Sequence, residues 1–380
     1  MYSRTLLKVH ASQDYLSIIK QQKLNNKVTI AQVAPSVRAA IHEPFNCNPI
    51  KPTQIVSSLK KIGFDYVFDT CFSADVTIME EGTEFITRFS QGDLIDLPMI
   101  TSCCPGWVQL VETSYPELLP RLSTTKSPQQ IMGALVKNYF SQKINTSPEN
   151  VFMMSVMPCV RKQGEADKEH INSIQNIKDV DLVITTNDLV SILKTENNDL
   201  CNIHETEWDN PMGNSSGGAV IFGRSGGVML AALRFAYEKL TGEKLIHVDM
   251  TPNSEFPFLT EAVIKINDIE IKIAVIKGLG DAKKYIRALY DGKVKHHFVE
   301  VMACVDACIS GAGNPPVGKN KDLIQQRKDI INNLDERSKE KVCSDVSDIN
   351  VLYKEFLGEP NSGKAHDLLH THHEPKTKHE

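Results

Sequence analysis

The chain has 380 residues, 41% of them hydrophobic, enough to bury a large core as one big α/β domain or as two lobes. A formal net charge of -5 argues against a nucleic-acid-binding module, which shows itself as a strongly basic domain. Apolar runs all fall short of the roughly 18 residues needed to cross a bilayer, so the expectation is a soluble protein.

Nine cysteines stand at positions 47, 71, 103, 104, 159, 201, 304, 308 and 343. The number is odd, the chain is large and no secretory signal is visible, so metal-bound and free thiols in a reducing compartment are expected rather than a disulfide framework. Residues 1–25 read as an extension with a lead-in helix over 14–23. Arg4 and Lys8, with no acid before Asp14, also leave a minimal organelle presequence open.

Beyond that extension, short β-rich runs alternate with helical patterns. Strands are expected at 28–33, 66–68, 97–101, 151–156, 181–185, 270–276 and 297–302, and helices at 74–89, 128–140, 227–240 and 281–290. Such alternation predicts an α/β fold, two lobes of mostly parallel β-sheet flanked by helices. Ligands of such sheets bind beyond the carboxyl ends of the strands. Four chemistry-bearing segments occupy that position: Ala34-Pro35-Ser36, then Cys103-Cys104-Pro105, then Met157-Pro158-Cys159, and finally Met302-Ala303-Cys304 with Cys308 beyond it. Between the first two, Glu81, Glu84 and Arg88 recur at i, i+3 and i+7 on one helix face, two carboxylates and a guanidinium in a row.

Cys304 and Cys308 are four apart, so one helical turn presents both to a single metal centre. Thiolates of an intracellular protein select zinc or iron–sulfur clusters. Zinc sites pair cysteines two to four residues apart in small loops, whereas Cys104, Cys159 and the final pair come from separate strand ends. A buried cofactor filling a cleft suits that spread; four-thiolate zinc stays the alternative. The glycine-rich stretch from Asn214 to Gly227 fails as a phosphate loop, because no Gly-Lys-Ser/Thr follows. Residues 319–341 are highly charged and read as a solvated helix. Residues 371–380, after His370, read as a disordered tail.

The Cys103-Cys104-Pro105-Gly106-Trp107 segment, the Met157-Pro158-Cys159-x-x-Lys162-x-x-Glu165 string and the Met302-x-Cys304-x-x-x-Cys308 segment together resemble the active-site domain of [FeFe]-hydrogenases over nearly the whole chain, residues 26–370. The resemblance implies a metal cluster in the cleft between the two lobes. Cys104, Cys159, Cys304 and Cys308 would ligate a [4Fe–4S] cubane, and Cys308 would bridge it to a diiron subcluster with carbonyl, cyanide and azadithiolate ligands. Met302, Met157 and Pro158 would line the pocket. Lys162 would hold one cyanide by a charge-assisted hydrogen bond, and the backbone of Ala34, Pro35 and Ser36 the other. Cys103, Glu81, Ser123, Glu84 and Arg88 match the family's proton relay. The glycine-rich stretch would pack near the cluster.

The resemblance further implies a monomer that makes or splits H₂ with electrons from a ferredoxin-like carrier, its diiron unit supplied by maturation proteins. The cytoplasm is the expected location, a hydrogenosome or other anaerobic organelle the alternative. Without a ferredoxin-like cysteine run, the arrangement resembles the minimal, algal-type one, and Lys319, Lys321, Arg327 and Lys328 are the candidate carrier patch. A hydrogenase-like iron–sulfur assembly or scaffold protein is the competing reading, expected to lack the diiron-site residues. Two departures stand out. Val305-Asp306-Ala307 replaces the family's common Pro-Gly-Gly, and Gly311-Ala312-Gly313 its Gly-Gly-Gly.

Overall fold

A central parallel strand is buried on both faces and therefore reads as a continuous apolar run. Two such strands, β1 (Val28–Val33) and β4 (Val151–Met157), pair in parallel at the middle of a four-stranded sheet. β2 (Tyr66–Asp69) and β5 (Leu182–Thr185) complete it in the order β2-β1-β4-β5, all parallel. The computed structural model describes residues 4–94, 98–266, 269–318 and 320–376, and side chains from residue 14 onward, Lys321 excepted. A buried polar stitch fixes the central register. Gln32 of β1 donates to Ser155 Oγ (2.8 Å) on β4 and to Gln129 O (3.0 Å), and its carbonyl accepts from Thr70 (3.0 Å). Every polar atom of that amide is directed, so a one-residue slip of the strands would strand it in the core.

The second sheet runs β3-β9-β8-β7-β6: β3 (Met99–Ile100), β9 (Phe298–Met302) and β8 (Ile269–Lys277) are parallel, while β7 (Leu259–Ile266) and β6 (Thr251–Pro252) are antiparallel. The sequence does not reveal β7, because only β8 beside it carries a sustained apolar alternation. Residue 97 of the expected strand at 97–101 lies outside the described residues; the strand's described part is β3. Of the expected lead-in at 14–23, the whole belongs to a helix spanning Arg4–Leu24. Among the described residues no helix is long and apolar enough to cross a membrane.

The helix Thr70–Ser90 packs between the sheets. Asp69 caps its start by accepting from Cys71 N (2.9 Å) and pairs with buried Arg38 at 2.6 Å. Glycine at position 82 is required, since a Cβ there would lie 2.5 Å from the Phe235 ring of the helix Gly227–Thr241.

Three expectations are corrected. Cys47 and Cys201 form a disulfide with Cα atoms 6.3 Å apart, so these two are not free thiols. The charged stretch 319–341 holds the helix Lys321–Arg337, which is not simply solvated. Arg327 and Ile331 are fully buried, and Asp335 holds Arg234 by two 2.9 Å hydrogen bonds. The chain after His370 is not frayed through Lys376. Thr371 N donates to Thr124 O (2.8 Å), His373 Nε2 meets Ser123 O (3.1 Å) and Lys376 N donates to Glu112 O (2.9 Å). Backbone pairing, invisible in a polar terminal sequence, holds it down.

Candidate metal centre

The carboxyl ends of β1, β2, β3, β4 and β9 converge on one cavity of about 280 Å³. Its wall includes Ala34, Pro35 and Ser36 after β1, Thr70 after β2, Cys103 and Cys104 after β3, Met157, Pro158, Cys159 and Lys162 at the end of β4, and Met302, Cys304 and Cys308 at the end of β9. All five expected cysteines thus border the same space, and each is partly exposed. Proline at the first helical turn and Cys104 at the N-cap start the helix Pro105–Ser114, which aims the chain away from the cavity. Cys308 sits in the short 3₁₀ turn Ala307–Ser310.

Burial pushes the Cys304 thiol up to about 11, with further contributions from Cys104, Cys159 and Asp306. The Cys308 thiol is also raised, by burial first and then by Cys104, Cys159 and Cys304. Four thiolates that repel one another in a desolvated space need a cationic centre. Among the described residues no three His, Cys, Asp or Glu side chains converge as a single-ion site requires. The sulfurs instead stand around a volume, which suits a multi-iron cluster better than zinc. Ala303 N donates to Cys104 Sγ at 3.3 Å, a backbone bond that orients a ligand sulfur.

The remaining wall fits a bulky, partly anionic group. The Lys162 ammonium donates to Glu165 (2.7 Å) and to Cys103 O (3.1 Å), two of its three donor positions. Burial opposes its charge, but Glu165, with Cys103 and Cys159, together outweighs this, and the Lys162 pKa stands above the ordinary value. Ser36 Oγ is buried at the wall without a partner. Met157 and Met302, each 3% exposed, supply the apolar remainder. Gly311 and Gly313 lie so close to Pro158 that a Cβ would come within 2.4 Å and 2.8 Å of its carbonyl, while Ala312 between them is exposed. Of the glycine-rich stretch, the part around Phe222 reaches the site, together with Val228 just beyond the stretch. Gly217 and Gly218 instead pack on Asp335 and Lys341.

The acid–base row is assembled as the helix spacing requires. Arg88 Nη2 donates to Glu84 Oε1 (2.6 Å), and Ser123 Oγ donates to Glu84 Oε2 (2.7 Å). Burial, then the Glu84 charge, pushes Glu81 up to about 8. Glu81 Oε2 has no partner. The Cys103 thiol is pushed up by burial and next by Glu81. Arg88 is partly exposed, so the row runs from the surface to the cavity wall. Sequence reasoning missed Glu80, Thr124 and His370, which bond around the same row; Glu80 directly precedes Glu81, and that third carboxylate was the available signal. Arg327 is withdrawn from the expected carrier patch. Its guanidinium takes Glu43 with two bonds (2.7 and 2.6 Å) and donates to Ile309 O and Pro315 O (2.7 Å each). Lys319 and the Lys321 side chain lie outside the described residues, while Lys328 is exposed.

An α/β protein whose strand ends bring cysteines and a buried lysine to one cavity is of the iron–sulfur class. Residues 27–312 match the iron only hydrogenase large subunit, C-terminal domain, and residues 321–376 match the iron hydrogenase small subunit. The chain belongs to the iron-only hydrogenase family. It is 40% identical over 354 residues to the NADP-reducing hydrogenase subunit HndD of Solidesulfovibrio fructosivorans, covering 92% of this chain and 60% of that one. It is 37% identical to iron hydrogenase 1 of Clostridium pasteurianum, covering 90% and 60%. The chain therefore spans less than two thirds of the length of these relatives. An apo structure of a variant of [FeFe]-hydrogenase HydA1 from Chlamydomonas reinhardtii superposes with a TM-score of 0.85 at 39% identity, covering 92% of this chain and 95% of that one. The cytosolic Fe-S cluster assembly factor narfl of Xenopus tropicalis is 31% identical, covering 96% and 79%.

Proposed function

We propose that the chain is an [FeFe]-hydrogenase that interconverts protons and H₂ with electrons from a ferredoxin-like carrier. The observation that carries this reading is the hydrogen-bonded row Arg88–Glu84–Ser123 together with buried Glu81, whose charge helps to raise the thiol of cavity-lining Cys103. A protein that only stores or passes on cubane clusters, as an assembly factor would, has no use for a proton row.

In this reading Cys104, Cys159, Cys304 and Cys308 would hold a [4Fe–4S] cluster, and the same cavity would take a diiron unit delivered by maturation proteins. The bound group supplies the redox chemistry and the site of H₂ formation. Lys162 contributes a fixed cation for an anionic ligand, Ser36 Oγ an unused hydroxyl, and Met157, Pro158 and Met302 exclude water. Cys103, surplus to the four ligands, holds a proton at the cavity face. Glu81, protonated at neutral pH, resupplies it through Ser123 from Glu84, whose charge Arg88 balances. Val160 and Val305, 57% and 63% exposed, follow Cys159 and Cys304 directly and make these two ligands the natural entry for electrons from a docked carrier.

Infrared spectroscopy after maturation tests the proposal. Carbonyl and cyanide bands together with H₂ evolution are expected. Their absence from a chain that carries a full cubane complement would overturn the enzyme reading in favour of the assembly one.

A further inference from the structure

Glu80 precedes the relay's Glu81 on the same helix but belongs to a separate buried network. Its Oε1 accepts from the Tyr353 hydroxyl, and its Oε2 accepts from Asn361 N (2.7 Å) and meets His370 Nε2 at 3.0 Å. His370 Nδ1 lies 2.8 Å from Thr124 Oγ1. That hydroxyl is also 3.3 Å from Glu84 Oε1, and Thr124 N donates to both Glu84 oxygens at 3.2 Å. The residues facing the imidazole are fixed by pairing of the tail with the segment after β3, through Thr371 N to Thr124 O and Lys126 N to Leu369 O, both 2.8 Å.

The hydroxyl of Thr124 has one proton and two takers. A carboxylate only accepts, so Glu80 makes His370 Nε2 the protonated nitrogen. When the ring is neutral, Nδ1 is an acceptor and the Thr124 proton points to it. When the ring is charged, Nδ1–H donates to Thr124 Oγ1 and the hydroxyl proton is released toward Glu84. Other groups around the ring are His366, stacked at 4.8 Å between centroids, Lys126, whose Nζ donates to Leu368 O, His373 on Ser123 O, and Arg88 beyond Glu84.

We propose that His370, anchored by Glu80, is a positioning residue that steers the Thr124 hydroxyl toward or away from Glu84 and so sets the proton affinity of that relay carboxylate. The segment matching the hydrogenase small subunit thereby acts on the proton row of the large-subunit segment. A charged ring adds a donor to Glu84 and favours its carboxylate; a neutral ring withdraws the donor. The proposal rests on the hydrogenase reading for its catalytic meaning, but the coupling itself is a property of the folded chain.

The test is pH-difference infrared spectroscopy of the full chain without cluster, with the Glu84 bands assigned by Glu84→Gln. Losing one hydrogen bond to a charged group should raise the Glu84 proton affinity roughly tenfold in Thr124→Val. Thr124→Ser should restore it, and His370→Gln should remove its dependence on the ring's titration. Glu84 bands that titrate identically in the wild type, Thr124→Val and His370→Gln would overturn the proposal. In matured protein, His370→Gln should change the ratio of kcat at pH 6 to that at pH 8 by roughly three- to tenfold with the dye KM unchanged; an unaltered ratio would deny the coupling a role in turnover. Failure of the hydrogenase reading shows separately, as a matured wild type without carbonyl and cyanide bands, and leaves the Glu84 titration decisive.

Discussion

Ala307 occupies the left-handed region at φ 56, two residues after exposed Val305 and immediately before Cys308. An L-residue there costs about 1–2 kcal/mol, which glycine escapes at a smaller entropic cost. The common family glycine is therefore replaced at a position whose backbone still demands it. Ala307→Gly should stabilise the chain by about 0.5–1 kcal/mol in denaturant titration; a loss of stability would mean the strain is relieved elsewhere. Cys103→Ala removes no cluster ligand, so iron content and infrared bands should persist while H₂ turnover falls by roughly two to four orders of magnitude. Retained turnover would remove Cys103 from the row. Asp306 adds negative charge beside Cys304, and Asp306→Asn should raise the cubane's reduction potential by on the order of tens of millivolts after screening. A redox titration that finds the couple unmoved would leave Asp306 electrostatically idle.

The helix Lys321–Arg337 is a clamp rather than a solvated cover. Arg327 ties the segment that follows Cys308 to Glu43, in the chain that follows Ala34-Pro35-Ser36. Two walls of the cavity are thus held by one guanidinium from a helix outside it. Arg327→Met would leave a half-buried carboxylate and two carbonyls without their donor, at a cost of about 3–5 kcal/mol. Lys328→Ala, on the exposed face one residue later, should stay within about 0.5 kcal/mol. Comparable losses from the two variants would refute the clamp.

Across the molecule, pH acts through buried carboxyls that are neutral when folded. Burial pushes Asp75 up to about 7, opposed by two hydrogen bonds from Ser216, and pushes Glu81 up to about 8. A raised carboxyl binds more protons in the folded state than in the unfolded one, so its contribution is full below the ordinary value and is lost as pH rises to the folded one. Histidines 42, 170, 296, 297 and 373 are lowered by burial and act oppositely, costing stability only below their ordinary value of 6.5. From pH 6.5 to about 7.5 the carboxyls dominate, the raised buried thiols add to the effect above that, and stability of the metal-free chain should fall. Glu81→Gln should flatten that slope. An unchanged slope would place the titration elsewhere.

The convergence of the cysteine segments and the helical row Glu81, Glu84 and Arg88 were legible in the sequence because each depends on following a strand or on local spacing, whereas the parts expected of Lys162 and the methionines came only from the family resemblance. The parallel core was legible for the same reason, since β1 and β4 are buried on both faces and carry no polar alternation. Contacts between distant segments had no such signature. Nothing in a charged run announces that Arg327 turns inward, and nothing in a polar terminus announces that Thr371 pairs with Thr124 or that His370 meets Glu80. The disulfide joins cysteines 154 positions apart, a pairing that only the packing of their loops decides. The sequence by itself determined which reactive side chains follow the strand ends, because side-chain type and short-range periodicity are written residue by residue. Only the tertiary structure decided which groups hold them in place, because a buried hydrogen bond is a property of two segments brought together.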